Sequence, residues 1–321
     1  MHLLLMYSSH APSAGHLARL AALDPGGRVT VAADEATARA AMATADVVFG
    51  HRSLHQMLGA STHLRWVQST AGGMDKLPEA GLAARGVVLT RATLASAAIA
   101  RHAVTLAWAI SRRLPECVRA QAEGAGALML DPLPAPRPAL VLGAGAVGGE
   151  IARLLARDGV AVTGARRHVD SPVPEGFARV IGGDGWRDAL ALTDWCFLAL
   201  PNTPATAALV GERELRALPA HAVVVNVGRG ETLAHDDLAR VLGGGHLGGA
   251  GLDVLAPRPA PGDAFWRTPR LLVTPHVAAR WPERPAALER FCEAQLERFL
   301  AGRPLENVVP FVRPAAGGAV S

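Results

Sequence analysis

The sequence predicts an α/β protein built from two doubly wound domains, each a parallel sheet with helices on both faces. Three observations carry this prediction. Short apolar runs alternate with Ala-, Leu- and Arg-rich helical stretches, and they do so in two separate regions. The 321 residues correspond to two domains at roughly 150 residues each. Hydrophobic residues make up 50% of the chain and charged residues 19%, which excludes disorder for most of it.

The first region spans residues 1–95. Its strand candidates are short apolar runs: Leu3–Tyr7, Arg28–Ala32, Asp46–Gly50, Arg65–Gln68 and Val87–Thr90. Helical patterns at Ala14–Ala22 and Glu35–Thr44 lie between the early strands, and no glycine-rich fingerprint follows the first strand. A long helical stretch, Ala97–Leu114, comes next, and Pro115 limits its far end.

The second region begins after Glu123–Pro138, a Pro- and Gly-rich stretch that we interpret as a connector or as an arm that packs on a partner. Six strand candidates follow: Ala139–Leu142, Ala161–Gly164, Trp195–Leu200, Ala222–Val227, Ala250–Val254 and Leu271–Thr274. Helices are predicted at Ala146–Arg157 and His235–Leu242. A final helix, Ala286–Ala301, ends at a Gly-then-Pro stop, and the tail RPAAGGAVS is predicted to fray.

Charge and cysteine content argue against several classes of function. The net charge of +4 comes almost entirely from scattered arginines, because Lys76 is the only lysine, whereas a nucleic-acid footprint is clustered. Cys117, Cys196 and Cys292 lie far apart, with neither a metal-ligand spacing nor a disulfide framework. The chain shows no membrane-length apolar run and no basic region or cleavage site of a signal peptide at its start. We therefore expect a cytoplasmic protein that binds no nucleic acid, no metal and no membrane.

The strongest local motif is GAGAVG at 143–148, which follows the apolar strand ALVL and opens a helix. In such a motif Gly143 allows the tight turn, Gly145 lets the backbone approach a pyrophosphate, and Gly148 lets the helix pack close to the strand. The helix N-terminus then offers N–H groups to the phosphates. This strand–turn–helix context predicts a Rossmann-type dinucleotide site made by six consecutive residues: Gly143, Ala144, Gly145, Ala146, Val147 and Gly148.

The next strand predicts which dinucleotide is bound. An NAD site usually has an acid at the end of this strand, on the ribose 2′-hydroxyl, but here AVTG runs into Ala165-Arg166-Arg167. Guanidinium groups suit a 2′-phosphate through forked hydrogen bonds. We therefore predict NADP(H) over NAD(H), bound through Arg166 and Arg167; the alternative is that both arginines are merely exposed.

Further motifs follow in a fixed order along the chain: STAGGMD at 69–75, LPNTPAT at 200–206, VVNVGRGETL at 224–233, GAGLDV at 249–254, TPHVAA at 274–279 and GRPLENVV at 302–309. Together with GAGAVG, they resemble the D-isomer-specific 2-hydroxyacid dehydrogenases over nearly the whole chain. Among the branches of that family, the chain looks most like the glyoxylate/hydroxypyruvate reductases, because of its arginine-bearing second strand and the stretch TPHVAARWPERP.

The resemblance implies a domain arrangement. A Rossmann nucleotide-binding domain, residues 97–282, would be inserted into a flavodoxin-like substrate domain formed by 1–96 and 283–321. The active site would lie in the cleft between the two. The resemblance also implies a homodimer through the nucleotide domain, with the stretch 115–138 as a place where the partner packs.

It further implies a reaction, the transfer of hydride from a nicotinamide to the carbonyl carbon of a small 2-oxo acid, giving the D-2-hydroxy acid. By this resemblance Arg229 binds the substrate and polarises the carbonyl, and His276 is the general acid. Gly72 and Gly73 offer backbone N–H groups to the substrate carboxylate. Four more residues are expected to contact the cofactor: Pro201, Thr206, Val227 and Asp253. For Asp253, which would face the nicotinamide, the alternative is a strand-end hydrogen bond to the following loop.

Two positions depart from the family pattern. Arg258 stands where relatives carry a glutamate that stabilises the protonated histidine, and a cation there would favour neutral imidazole at His276. Arg101 stands where relatives commonly have an acid. Three acids lie nearby in sequence and could replace the missing one: Glu231, Asp253 and Asp263.

Three explanations of Arg258 stay open. Its side chain could swing out to solvent and leave a slower reductase. It could bind a second anionic group, so that the substrate is a dicarboxylate or a phosphorylated acid. Catalysis could also be lost, which would leave an NADP(H)-binding regulatory protein.

Overall fold

A computed structural model describes residues 1–51, 53–73, 75, 77–125, 130–167, 169 and 172–310. Its contacts divide the chain into two compact units. The first unit combines Met1–Ala95 with the described residues from Trp281 onward, and the second is Ser96–Arg280. The second unit is therefore inserted into the first. The predicted fraying of residues 313–321 lies outside the described residues, as do Met74 and Lys76.

The first unit contains a five-stranded parallel sheet. Its strands are β1 (His2–Met6), β2 (Arg28–Val31), β3 (Val47–Gly50), β4 (Trp66–Ser69) and β5 (Val88–Arg91). They lie in the order β2-β1-β3-β4-β5, and every neighbouring pair is parallel. The residues of β1, β3 and β4 are all buried, as expected where helices cover both faces of a sheet.

Successive side chains of these strands enter two different cores. Helices α1 (Ala14–Leu23), α2 (Glu35–Met42), α3 (Leu54–Met57) and α4 (Glu79–Ala84) follow the first four strands. Leu4 of β1 packs in the core on the side of α2, whereas Leu3 and Leu5 pack in the core of α1. The C-terminal helix, Arg284–Leu300, adds Leu288, Cys292 and Leu296 to that second core. The last helix of the chain thus completes a core that the first strand begins.

The second unit contains a seven-stranded parallel sheet. Its strands are β6 (Pro138–Leu142), β7 (Ala161–Arg166), β8 (Arg179–Gly182), β9 (Trp195–Leu198), β10 (Val223–Asn226), β11 (Gly249–Leu252) and β12 (Leu271–Val273). The order is β12-β11-β10-β9-β6-β7-β8, with all pairs parallel. Strand order therefore reverses between β6 and β9, as in the doubly wound dinucleotide-binding folds. The predicted fold class is confirmed for both sheets.

Among the described residues of this unit, five α-helices are present, and four of them cover the two faces of the sheet. The five are α5 (Ser96–Ser111), α6 (Leu114–Ala122), α7 (Ala146–Arg157), α8 (Glu212–Ala217) and α9 (His235–Gly243). One core holds α5 and α7, and the opposite core holds α8 and α9. Each face of the sheet is closed by helices of its own unit, so the loops at the carboxyl ends of the strands rest on a rigid base.

Three local predictions were wrong. The long helix predicted to Leu114 ends at Ser111, because Arg113 adopts left-handed backbone angles (φ 59°). Pro115 opens α6 rather than stopping α5, since proline is tolerated in a first helical turn. Strand β8 was missed, being a short edge strand with no fully buried residue.

Within the described residues, no helix is both long and apolar enough to cross a bilayer. Of the three cysteines, Cys196 and Cys292 are buried and Cys117 is exposed. Burial raises the pKa of the Cys196 thiol to about 12.

Candidate active site

The glycine-rich loop follows β6 at the point where strand order reverses, and each glycine meets different surroundings. Gly143 has φ +105°, and a Cβ there would lie 2.6 Å from the carbonyl oxygen of Ala199. A Cβ on Gly148 would lie 2.1 Å from the carbonyl oxygen of Gly143. Around a Cβ on Gly145, by contrast, nothing lies within 4 Å. The chain therefore fills the space at two of the glycines and leaves it open at the one predicted to face a pyrophosphate, so the loop fits a dinucleotide.

The end of β7 is tied to this loop. The amides of Gly143 and Ala144 donate to the carbonyl oxygen of Ala165, at 2.9 and 3.1 Å. Arg166 is half-buried and donates to the carbonyl oxygen of Pro172 at 3.2 Å, whereas Arg167 is exposed. The structure thus brings the two arginines to the strand end beside the glycine loop.

The loop after β9 is held by one hydroxyl. Thr206 Oγ1 donates to the carbonyl oxygen of Pro201 at 2.7 Å and accepts from the amide of Thr203 at 2.9 Å. Thr206 is buried and Pro201 is exposed. Val227, at the end of β10, is buried and donates its amide to Leu198 of β9 at 3.1 Å. Thr206 therefore shapes this loop, and Val227 joins the ends of two neighbouring strands.

Arg229 follows β10 in a tight turn. Its Nη1 donates to the carbonyl oxygen of Gly228 at 2.8 Å, and the side chain is half-buried. Its own carbonyl oxygen accepts from Asn226 Nδ2 at 3.0 Å and from Thr232 Oγ1 at 2.7 Å. Both of these residues are fully buried, and sequence reasoning missed them as supports of Arg229. An asparagine that ends a buried strand is the one signal that could have pointed to this turn.

The turn of Arg229 packs on the segment after β11. A Cβ on Gly230 would lie 2.3 Å from the amide nitrogen of Ala256 and 2.4 Å from the carbonyl carbon of Leu255. Only glycine allows the two backbones to approach this closely. Arg229 and the segment that leads to Arg258 are therefore neighbours at this sheet edge.

His276 follows β12 with an exposed side chain and a left-handed backbone, φ 56°. Its amide donates to the carbonyl oxygens of Asp253 and Thr274, both at 3.0 Å. The buried carboxylate of Asp253 accepts from Thr274 Oγ1 at 2.6 Å, from the amide of Val277 at 2.9 Å and from the amide of Ala278 at 3.1 Å. Asp253 thus makes the strand-end bonds to the loop that the sequence left open as an alternative, while its contact with the nicotinamide stays a prediction.

A second histidine reaches this loop, and sequence reasoning missed it. His102 of α5 places Nε2 2.9 Å from Thr274 Oγ1 and 3.6 Å from Asp253 Oδ1. Its neighbour Arg101, which drew attention as a departure from the family, is exposed. No spacing pattern distinguishes His102 from the other histidines of the chain, so only the tertiary structure reveals it.

Arg258 points to an aromatic ring rather than to an acid. Its guanidinium carbon lies 5.6 Å from the ring centroid of Trp266, and the residue is exposed. Among the described residues, no carboxylate forms an ion pair with it. Of the acids proposed to replace the missing glutamate, Asp263 accepts from the amide of Phe265 at 2.8 Å and Glu231 is exposed.

Gly72 and Gly73 belong to the first unit, in the loop after β4. Ser69 Oγ donates to the carbonyl oxygen of Ala71 at 3.1 Å and so shapes the start of this loop. Gly72 is exposed, and a Cβ there would lie 3.4 Å from the carbonyl oxygen of Ala92. Met74, which completes the motif, lies outside the described residues.

Comparison with known proteins agrees with the motifs. A sequence profile described as "D-isomer specific 2-hydroxyacid dehydrogenase, NAD binding domain" matches residues 104–278. Glyoxylate/hydroxypyruvate reductase A of Escherichia fergusonii is 33% identical over 175 residues, which cover 54% of this chain and 54% of that protein.

Two solved structures resemble nearly the whole chain. The NADPH-dependent glyoxylate/hydroxypyruvate reductase of Sinorhizobium meliloti, in complex with NADP and sulfate, is 28% identical with a TM-score of 0.75, covering 96% of this chain and 98% of that one. A D-isomer specific 2-hydroxyacid dehydrogenase of Xanthobacter autotrophicus, in complex with NADPH and MES, is 27% identical with a TM-score of 0.77, covering 96% and 98%. The profile match spans every predicted site residue except Gly72 and Gly73.

Proposed function

This chain belongs to the D-isomer specific 2-hydroxyacid dehydrogenase family, a family of NAD(P)-dependent oxidoreductases, and we propose that it reduces a small 2-oxo acid of the glyoxylate or hydroxypyruvate type to the D-2-hydroxy acid. One observation carries the proposal. The glycine loop, Arg229 and His276 follow β6, β10 and β12, which run parallel in one sheet. The carboxyl ends of parallel strands meet at one sheet edge, where doubly wound folds bind their ligands.

NADP(H) is the proposed cofactor, in preference to NAD(H). The open space at Gly145 and the N-terminus of α7 would hold the pyrophosphate, and Arg166 and Arg167 would bind the 2′-phosphate. Pro201, Thr206 and Val227 would line the cofactor through the loops that they shape. When bound, the cofactor supplies the hydride. Two similar structures hold NADPH or NADP, which supports this preference.

The substrate would be bound and protonated by the chain itself. Arg229 would pair with the carboxylate of the 2-oxo acid and polarise its carbonyl. Gly72 and Gly73 would donate backbone hydrogen bonds to the same carboxylate. As the carbonyl carbon gains hydride, His276 would give its proton to the carbonyl oxygen and become neutral imidazole.

Arg258 is the residue that decides between the reductase and the second candidate function. Its position over Trp266, with the side chain exposed, supports the explanation that it lies out toward solvent and leaves a slower reductase. The second candidate function is an NADP(H)-binding regulatory protein without turnover. It is favoured by the arginine that stands where relatives carry a catalytic glutamate.

A paired experiment on the pure protein separates these functions. NADPH and NADH are titrated by fluorescence, and oxidation of the tighter-binding one is followed with glyoxylate, hydroxypyruvate and dicarboxylic 2-oxo acids, for wild type and Arg258→Glu. We expect tighter binding of NADPH, turnover of glyoxylate or hydroxypyruvate by wild type, and faster turnover by Arg258→Glu.

Each other outcome has a defined meaning. Turnover restricted to dicarboxylic acids, and lost in Arg258→Glu, would show that Arg258 binds a second carboxylate. NADPH binding without turnover in wild type would favour the regulatory protein. Failure to bind either nucleotide would refute both candidates.

We also propose a cytoplasmic homodimer. Four large apolar side chains of this unit are well exposed at or near α5 and α6: Trp108 (37%), Leu114 (50%), Val118 (63%) and Leu130 (43%). Large apolar side chains that stay exposed in one stretch of the sequence support a subunit interface. Light scattering should give twice the 33.3 kDa chain mass, and a monomer that persists at micromolar concentration would contradict the proposal.

A further inference from the structure

We propose that His102 is a positioning residue of the reduction, which acts through the hydroxyl of Thr274 to fix the loop that carries His276. The inference rests on the proposed function, because it takes His276 as the proton donor. It assigns a role to a side chain of α5 that lies outside the glycine loop and the motifs around Arg229 and His276.

The loop needs such a support because its backbone is strained. His276 has φ 56°, a left-handed conformation that residues other than glycine rarely adopt. Strained backbone persists at functional sites only where the surrounding contacts over-determine it. Here the loop donates four hydrogen bonds to Asp253: one to the backbone carbonyl oxygen of Asp253 and three to its carboxylate.

The hydrogen-bond chemistry fixes the role of His102. Both carboxylate oxygens of Asp253 accept a backbone amide, Oδ1 from Val277 and Oδ2 from Ala278. The single hydroxyl hydrogen of Thr274 must then point to Asp253 Oδ1, 2.6 Å away. The Thr274 oxygen therefore accepts at 2.9 Å from His102, and His102 must carry a proton on Nε2.

His102 is well placed to hold this chain of hydrogen bonds, because its backbone does not belong to the loop. Helix α5 buries Ala100, Ala103 and Leu106 around it, in the core that closes one face of the sheet. A side chain on a packed helix keeps its position better than one on a loop. The hydrogen bond from His102 thus orients the Thr274 hydroxyl toward Asp253. Because Asp253 also binds the backbone around His276, this orientation determines where His276 lies.

Four single variants test the proposal in matched pairs. Thr274→Val removes the hydroxyl and Thr274→Ser keeps it, while His102→Leu removes the donor and His102→Gln keeps an N–H near the same place. We expect kcat to fall by roughly 10- to 100-fold in Thr274→Val and His102→Leu, the range that a small misplacement of a catalytic group produces. KM and the NADPH affinity should stay as in wild type, and the Ser and Gln variants should recover most of the lost rate.

A double variant tests whether His102 acts through Thr274. If it does, adding His102→Leu to Thr274→Val lowers kcat no further, because the connection is already broken. Losses that multiply would overturn the proposal, and so would an unchanged kcat in His102→Leu. A general loss of folding would also lower the NADPH affinity and would not be rescued by Thr274→Ser, which separates it from a positioning role.

A second measurement does not depend on turnover. Nitrogen NMR of labelled histidine, at a pH where the imidazole is neutral, should show the His102 proton on Nε2, and His102→Leu identifies the signal. Amide exchange at Val277 and Ala278 should accelerate in His102→Leu and Thr274→Val but not in Thr274→Ser. If wild type reduces no 2-oxo acid, the proposed function fails, yet these readouts still decide the inference. A proton on Nδ1, or unchanged exchange in His102→Leu, overturns it.

Discussion

Asp253 shows how one buried carboxylate organises the chain around it. It accepts hydrogen bonds from the two backbone amides that follow His276 and from the hydroxyl of Thr274, so the carboxylate holds the loop after β12 in place. Sequence reasoning singled out Asp253 and His276 through their motifs but could not show that the amide of His276 donates to the carbonyl oxygen of Asp253. His102 escaped it altogether, because an isolated histidine in a helix carries no pattern and its partner Thr274 lies 172 positions away.

Asp253→Asn should destabilise the protein by about 1–3 kcal/mol, because the amide group must face donors that the carboxylate accepted. Urea unfolding measures this loss, and NADPH titration on the same variant tests the predicted nicotinamide contact. Asp263→Asn is the matched control, since Asp263 is exposed and caps a single turn, a task that asparagine performs equally well. Equal stabilities for the two variants would contradict the anchoring role of Asp253.

Two adjacent glycines of α7 should respond in opposite ways to alanine. A Cβ on Gly148 would meet the carbonyl oxygen of Gly143 at 2.1 Å, so Gly148→Ala should lose about 1–3 kcal/mol of stability and weaken NADPH binding. A Cβ on Gly149 meets nothing within 4 Å, so Gly149→Ala should gain about 0.5–1 kcal/mol. Thermal unfolding with and without NADPH measures both. A gain of stability in both variants would show that the loop adapts to the extra methyl group at Gly148, and a loss in both would contradict the open space at Gly149.

At the scale of helices and strands, the sequence pattern found α7 and the β-strands of the described residues within a few positions, except that it missed β8 and the break between α5 and α6. Helix α7 was predicted with its observed bounds, because its apolar face repeats without interruption. Strand β8, at the edge of its sheet, offered no such signal. The break between α5 and α6 was also missed, because the left-handed residue there is Arg113 rather than the glycine that usually marks such a turn.

The contact between α1 and the C-terminal helix should make stability depend on pH. Burial raises the pKa of Glu293, but hydrogen bonds from Arg19 Nε at 2.8 Å and His16 Nδ1 at 2.6 Å outweigh it, so the pKa lies below its ordinary value. A carboxyl with a lowered pKa in the folded state stabilises the fold above its unfolded pKa of about 4.3 and loses that contribution as pH falls through the folded value.

Glu293→Gln should therefore be less stable than wild type at neutral pH, and the difference should shrink as the pH is lowered below that of the unfolded carboxyl. Chemical unfolding at a series of pH values measures the difference. Glu297→Gln, an exposed glutamate of the same helix, serves as control. A difference between Glu293→Gln and wild type that does not change with pH would mean that the ion pair adds nothing to the fold.

At the scale of the whole molecule, the two parallel sheets followed from the alternation of strands and helices, but the insertion of one unit into the other came only from the resemblance to a family. Periodicity shows that a helix has an apolar face and does not show which sheet receives it. The C-terminal helix is the instructive case, since its partners in the core include Leu3 and Trp66, more than 200 positions earlier.

This arrangement predicts how fragments behave. Residues 96–280 form a contiguous unit with two cores of their own, so this fragment should fold cooperatively and bind NADPH as the full chain does. Residues 1–95 lack the C-terminal helix that completes the core on the α1 face of their sheet, and they should not fold until 281–310 are joined to them by a linker. Circular dichroism and NADPH titration measure both. Independent folding of 1–95 would show that the last helix is dispensable.

The same arrangement determines the order in which the two units can fold during synthesis. Translation proceeds from the N-terminus, so β1 to β5 leave the ribosome first, yet the helix that shields Phe49 and Trp66 is made last. The inserted unit can fold in the meantime, since all of it precedes Trp281. While the ribosome makes the inserted unit, one apolar face of the first sheet is covered by α1 alone and lacks the C-terminal helix. A nascent chain that stalls before residue 284 would therefore carry a folded second unit and an incomplete first unit. The apolar surface that the missing helix leaves exposed would make this chain prone to chaperone binding and to aggregation.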